Sequence, residues 1–190
     1  VLNEKNRNKL SIYKENNTAA TLNLAKQAAG LGVSRFIFLS SIGVNGISTN
    51  GLPFKPNDRP STHSDYTKSK YEAEIGLQLI GQDSKMEIVI IRSPADYGIG
   101  EPGNFGLIEK LIRYNIPMPF GSIKNRRSLI SLENLLKLLH LCIERKKIGN
   151  QLYLVCDNED FSTPDIVRLM GKIICKKPII FNFPVKLLWI

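Results

Sequence analysis

The strongest constraint on the fold is a four-residue run, Ile88-Val89-Ile90-Ile91, that is apolar throughout rather than alternating. A strand of that kind is buried on both faces, as in a parallel sheet. Before it comes a helix-like segment, Tyr66–Leu79, and before that an apolar strand, Arg35–Leu39. Strand–helix–strand repetition builds right-handed βαβ units and a doubly wound sheet. Upstream, residues 17–29 predict a helix: Ala19, Leu22, Leu24, Ala25, Ala28 and Ala29 form its apolar stripe, and Gly30 and Gly32 stop it.

The stretch Gly43–Ser64 is polar and rich in Gly and Pro. It is too long for a simple connection and is expected to cover something. After Arg92 the pattern loosens, with a loop over Gly98, Gly100, Pro102 and Gly103. Short helices are predicted over Phe105–Tyr114 and Leu132–Glu144, and a strand over Gln151–Val155. Thr163-Pro164-Asp165 starts another helix, with a capping hydroxyl, an early proline and an acid in the first turn. A last strand is expected over Ile179–Phe181.

The 190 residues carry a formal charge of +9. The cations are spread along the chain and lack the interleaved aromatics of a single-strand nucleic-acid binder. They read as a solvated basic surface, some of it available to a diphosphate, with no nucleic-acid partner. No run of about 18 apolar residues occurs, so no membrane span is expected. Cys142, Cys156 and Cys175 form no C-x-x-C and read as reduced, mostly buried thiols of a cytoplasmic protein. With two histidines, a metal site is not expected. His63 reads as a loop residue and His140 as a packed residue of an apolar helix.

The chemistry is carried by Ser41, which ends the first strand, and by Tyr66-x-x-x-Lys70, which opens the following helix. The i, i+4 spacing puts the phenol and the ammonium on one helical face. An isolated phenol titrates near 10 and is a poor base at neutral pH. A neighbouring ammonium favours its phenolate. A strand-end serine beside that face completes a proton-transfer set suited to alcohol and ketone chemistry next to a nicotinamide ring.

Four ordered motifs extend this set: Asn16-Asn17-x-x-x-Thr21, Arg35-Phe36-Ile37-Phe38-x-Ser40-Ser41, Tyr66-x-x-x-Lys70-x-x-x-Glu74 and Ile91-Arg92-x-Pro94-x-x-Tyr97-Gly98. On them the chain resembles the extended short-chain dehydrogenase/reductases, the NAD-dependent epimerase/dehydratase family that includes UDP-glucose 4-epimerase-like enzymes. The resemblance implies an α/β fold: part of a doubly wound Rossmann-type parallel sheet in residues 1–98, and a small, interleaved α/β substrate-binding part in residues 99–190. It implies Ser41, Tyr66 and Lys70 as catalytic residues, with Asn16, Tyr66, Lys70 and Pro94 at the cofactor, NAD or NADP in its place. Ser41, Asn104 and Arg127 would meet the substrate, the last two at its diphosphate.

The implied activity is hydride transfer at a sugar carbon of a nucleotide sugar, a UDP-sugar for surface polysaccharide, by an epimerase, dehydratase or 4-keto-reductase. Family analogy also suggests a homodimer through the helices at 17–29 and 66–79. The family's G-x-x-G-x-x-G loop is not found in this sequence and would lie upstream of Val1. The C-terminal substrate segment also looks cut. The alternative expectation is therefore a truncated, inactive remnant. Asp96 stands where the family usually has an apolar residue, and burying it unpaired would be costly.

Overall fold

The Ile88–Ile91 run becomes the middle of a three-stranded parallel sheet. In the computed structural model, which describes residues 9–49, 51–98, 104–146 and 148–189, β2 (Glu87–Ser93) lies between β1 (Arg35–Ser41) and β5 (Gln151–Leu154). The register runs from Arg35↔Glu87 to Ser41↔Ser93 on one side and from Val89↔Gln151 to Arg92↔Leu154 on the other. All four residues of the run are buried, as an inner parallel strand requires.

The chain divides into two compact units. The first takes the residues up to Pro94 together with Leu136–Val155; the second takes Ala95–Leu135 and the residues from Cys156 on.

In the first unit the predicted helix at 17–29 is part of a longer helical stretch. It comprises α1 (Lys9–Tyr13), a π-helical segment Lys14–Ala19 and α2 (Ala20–Gly30). Gly32, at φ +76°, closes it in the left-handed region that glycine tolerates, and the Val33 N–H donates back to the Ala28 carbonyl at 3.0 Å. The next helix, α3 (Asp65–Asp83), starts at a capping box in which Ser64 and Thr67 satisfy each other's backbone N–H. Ala25 of α2 joins Ala73 and Leu77 of α3, and Phe38, Met86, Ile88 and Ile90 of the sheet side, in one core. The two helices approach closely at Gly76, where an added Cβ would stand 2.6 Å from the Leu22 side chain.

In the second unit β3 (Ala95–Tyr97) pairs parallel with β4 (Arg127–Ser131), and β4 pairs antiparallel with β6 (Asp160–Phe161). Among its helices, α4 (Asn104–Arg113) and α6 (Thr163–Ile173) pack through Ile112, Met118 and Val167. The cap of α6 is Ser162, one residue before the expected hydroxyl, in a reciprocal box with Asp165. The helix α5 (Leu132–Glu144) has the bounds read from sequence and crosses from the second unit into the first.

Three expectations fail here. Ile179–Phe181 is not a strand: it makes a single bridge, Met118↔Ile180. On one side of Met118 the Ile116 N–H turns back to the Leu111 carbonyl, and on the other Gly121 rather than Phe120 donates to the Phe181 carbonyl, so the ladder does not extend. Cys156 and Cys175 are exposed, and Cys142 alone is buried. His140 is exposed rather than packed, with Nε2 3.3 Å from Glu144 one helical turn on. Asp96 is also exposed, which removes the desolvation cost of an unpaired carboxylate. The expected loop over residues 100, 102 and 103 lies outside the described residues.

Candidate active site

In the first unit the carboxyl ends of β1 and β2 lie side by side, with Ser41 opposite Ser93 and Pro94 next in the chain. In open α/β sheets ligands bind at that end of the strands. Ser41 is half-buried, and its Oγ accepts the Gly43 N–H at 3.2 Å, capping the short turn Ile42–Val44. Gly43 is required there: a Cβ would stand 2.7 Å from Thr67 Cγ2 and 3.4 Å from both His63 Cε1 and Ser41 Oγ. His63 itself is exposed, and its backbone N–H donates to Thr67 Oγ1.

The face of α3 that begins at Tyr66 meets β1 through Lys70. Lys70 Nζ donates to the Leu39 carbonyl at 3.0 Å, two residues before Ser41. It lies 4.9 Å from the centre of the Phe38 ring and 5.9 Å from the centre of the Tyr66 ring. Burial pushes the Lys70 ammonium below its ordinary value, and the charge of Glu74 pulls it back up. Tyr66 is 37% exposed, with its ring edge-on to Tyr13 at 5.7 Å. The phenol is thus reachable from outside while its neighbouring ammonium is held from behind.

The π-helical segment docks on the start of α3. Asn17 donates to Ser69 Oγ at 3.0 Å, Thr18 donates to the Ser69 carbonyl at 2.9 Å, and Ser69 Oγ donates to the Tyr66 carbonyl at 2.8 Å. Insertions of this kind are frequent at functional sites. Asn16 is exposed on the same segment; its neighbour Asn17 is the one that reaches α3.

Behind Lys70 lies a group that motif reading quoted but gave no role. Glu74 and Arg92 form an ion pair, 2% and 3% exposed, joined by Ser40 and Asn45. The signal was available: Glu74 follows Lys70 by four residues on the same helical face, and Arg92 is a charge ending an apolar run.

In the second unit Asn104 opens α4, and its side chain lies outside the described residues. Arg127 is exposed at the first position of β4, opposite Phe161. An open groove of about 350 Å³ is lined by Lys124, Arg126 and Arg168 together with Asp160 and Asp165. Asp157 ties this unit together: it accepts from the Tyr97 hydroxyl, the Ser131 N–H and the Asn134 amide, each at 2.8 Å. Partial burial pushes the Asp157 carboxyl up, but those donors outweigh it and hold it below its ordinary value. The same bond raises the Tyr97 phenol.

Comparison with known proteins gives the family and the fold. The sequence profile of the NAD dependent epimerase/dehydratase family matches residues 3–156. A UDP-glucose 4-epimerase of Vibrio cholerae is 49% identical over 170 residues, which is 88% of this chain and 52% of that protein. Among solved structures, UDP-glucuronic acid 4-epimerase from Bacillus cereus in complex with NAD aligns with a TM-score of 0.81 at 21% identity, covering 93% of this chain and 59% of that one. UDP-glucose 4-epimerase from Thermotoga maritima with UDP-glucose aligns with a TM-score of 0.78 at 19% identity, covering 93% and 60%. The chain spans about half the length of the curated relatives it matches. A Rossmann-type parallel sheet, a strand-end serine and a Tyr–Lys pair on the next helix, together with the profile match over most of its length, mean that the chain belongs to the NAD-dependent epimerase/dehydratase family.

Proposed function

We propose that this chain carries the proton-transfer half of a nucleotide-sugar epimerase, dehydratase or 4-keto-reductase, acting on a UDP-sugar used in cell-surface polysaccharide. The observation that carries the reading is the Lys70 contact: an ammonium bonded to the carbonyl of Leu39 ties the helix bearing Tyr66 to the strand that ends at Ser41.

The residues fit a dinucleotide. An accessible phenol and a partly desolvated ammonium lie together, and Pro94 follows the carboxyl end of β2. Asn16, Tyr66, Lys70 and Pro94 would hold the cofactor, which when bound takes up a hydride from the sugar carbon and can return it. Tyr66 takes the proton from the sugar hydroxyl or gives it back. Lys70 stabilises the phenolate that takes up that proton and donates to the ribose. Ser41 holds the sugar oxygen and shares the proton. Asn104 and Arg127 would meet the diphosphate, a planar guanidinium fork being suited to phosphate oxygens. The first unit then serves the cofactor and the reacting hydroxyl, and the second the diphosphate. A cytoplasmic location and a dimer through the helices at 17–29 and 66–79 belong to the same reading. Exposed Leu24, Ile75 and Leu79 on those helices suit a partner surface.

The test is turnover of UDP-glucose, UDP-galactose and their N-acetyl or uronic acid counterparts by the native protein from its source cells, with NAD(H) and NADP(H). Tyr66→Phe is expected to lower the rate by about 10²–10⁴-fold, the usual worth of a positioned acid–base group. Absence of turnover with every nucleotide sugar would overturn the proposal. Intact-mass measurement of the same material separates the two readings left by the half-length match. A mass well above 21.3 kDa marks this chain as a piece of a larger enzyme, whereas that mass without turnover favours an inactive remnant.

A further inference from the structure

The first unit contains a run of buried polar groups that proton transfer at Tyr66 does not use. Arg92 donates through Nε to Glu74 Oε1 at 3.0 Å and through Nη2 to Oε2 at 2.5 Å. The Ser40 hydroxyl donates to the same Oε1. The third guanidinium nitrogen of Arg92 donates to Asn45 Oδ1 at 2.8 Å, and Asn45 Nδ2 donates to the Lys55 carbonyl at 3.0 Å. One ion pair therefore joins α3, β1, β2 and the loop between residues 43 and 64.

Such a pair is a poor way to gain stability. The cost of desolvating two charges roughly cancels their attraction, and two apolar side chains of similar volume hold as well. A two-pronged guanidinium–carboxylate contact does supply direction. Tyr66, Lys70 and Glu74 are spaced by four residues along one face of α3, so the rotation that seats Glu74 on Arg92 also aims Lys70 at β1. Ser40, bonded to Glu74, is the residue between Leu39, which Lys70 touches, and Ser41. Asn45 has a buried side chain, and within the same loop the Ser61 N–H donates to the Val44 carbonyl at 3.0 Å.

We propose that Glu74 and Arg92 are positioning residues that fix the rotation of α3 and so the placement of Tyr66 and Lys70, and that Asn45 extends this hold to the 43–64 loop. The proposal rests on the assignment of Tyr66 and Lys70 to proton transfer.

The test uses the full chain with ε-¹³C-lysine, following the Lys70 titration by NMR and the amide hydrogen exchange of the loop. Lys70 is faced by Glu74 and Tyr66 from its own helix and by the Phe38 ring and Leu39 carbonyl of β1. From β2, Arg92 acts through Glu74; Tyr13 of α1 packs on Tyr66, and Lys14 is paired with Glu72. The double variant Glu74→Leu/Arg92→Met is expected to stay folded, to shift the Lys70 midpoint downward and to speed loop exchange by about tenfold or more. Arg92→Lys keeps the charge without the fork and is expected to leave the loop fast. Asn45→Ala is expected to loosen the loop alone.

A folded double variant with parental Lys70 titration and loop exchange would reduce the pair to packing and overturn the proposal. So would loss of folding in both the double variant and Glu74→Gln, which would assign the pair to stability. If the titration and exchange respond as expected while the native protein turns over no nucleotide sugar, the positioning stands and the catalytic assignment falls.

Discussion

Each unit contains a carboxylate that accepts several hydrogen bonds, Glu74 in the first and Asp157 in the second, and the two are used differently. Glu74 is almost fully buried behind a sheet whose β1–β2 ladder runs seven residues, and its partners are all side chains. Asp157 is half-buried in a unit whose ladders run three residues and two, and it takes a phenol, a backbone N–H and a side-chain amide. Where backbone pairing is long, the architecture already stands and the carboxylate can couple elements. Where it is short, the carboxylate supplies attachments that a longer ladder would have made.

The largest test of that contrast is Arg92→Met alone. It leaves Glu74 buried and uncompensated, and should cost about 3–5 kcal/mol in urea unfolding of the first unit. Asp157→Ala should cost less, about 1–3 kcal/mol in the second unit, because water can reach the three abandoned donors. Equal losses would erase the distinction drawn here.

Acid sharpens it further. A depressed carboxyl contributes stability that is present above its unfolded value of about 3.9 and is lost as pH falls through its folded value. The second unit should therefore weaken from about pH 4 downward, followed by the Tyr97 ring resonances, and Asp157→Ala should lack that acid slope. The smallest expected effect is Ser162→Ala at the start of α6, a loss of about 1 kcal/mol read from the thermal midpoint.

The legibility of the two units in sequence follows the same division. The first unit could be read because its strands and helices repeat at fixed periods. Ile88–Ile91 has the continuous apolarity of an inner strand, and Tyr66–Leu79 needed only lengthening at its ends to become α3. The π-helical segment was not legible, since its stabilisation comes from Asn17 and Thr18 reaching Ser69, about fifty residues away. In the second unit β3 and β6 are too short to leave a period, and β4 has only two apolar residues, Leu129 and Ile130, among polar ones. Ile179–Phe181 has the composition of a strand, but only Met118 bridges to it, because Ile116 is bonded back to Leu111 and Gly121 falls out of step with it. His140 is exposed because α5, apolar on more than one side, buries only the face of Leu135 and Cys142 and leaves Leu136, Leu141 and Ile143 in the open with it.

Local chemistry was enough to determine which residues carry a reactive group: a phenol and an ammonium four residues apart share a face of any helix. Apolar continuity was enough to determine the parallel sheet that presents Ser41. Tertiary structure alone decided what stands behind them. The Glu74–Arg92 pair spans eighteen residues and its link to Asn45 forty-seven, and no local period encodes a contact at such range. Only packing β2 against β1 and α3 brings a guanidinium, a carboxylate, a hydroxyl and an amide out of water together. Groups removed from water must then satisfy one another.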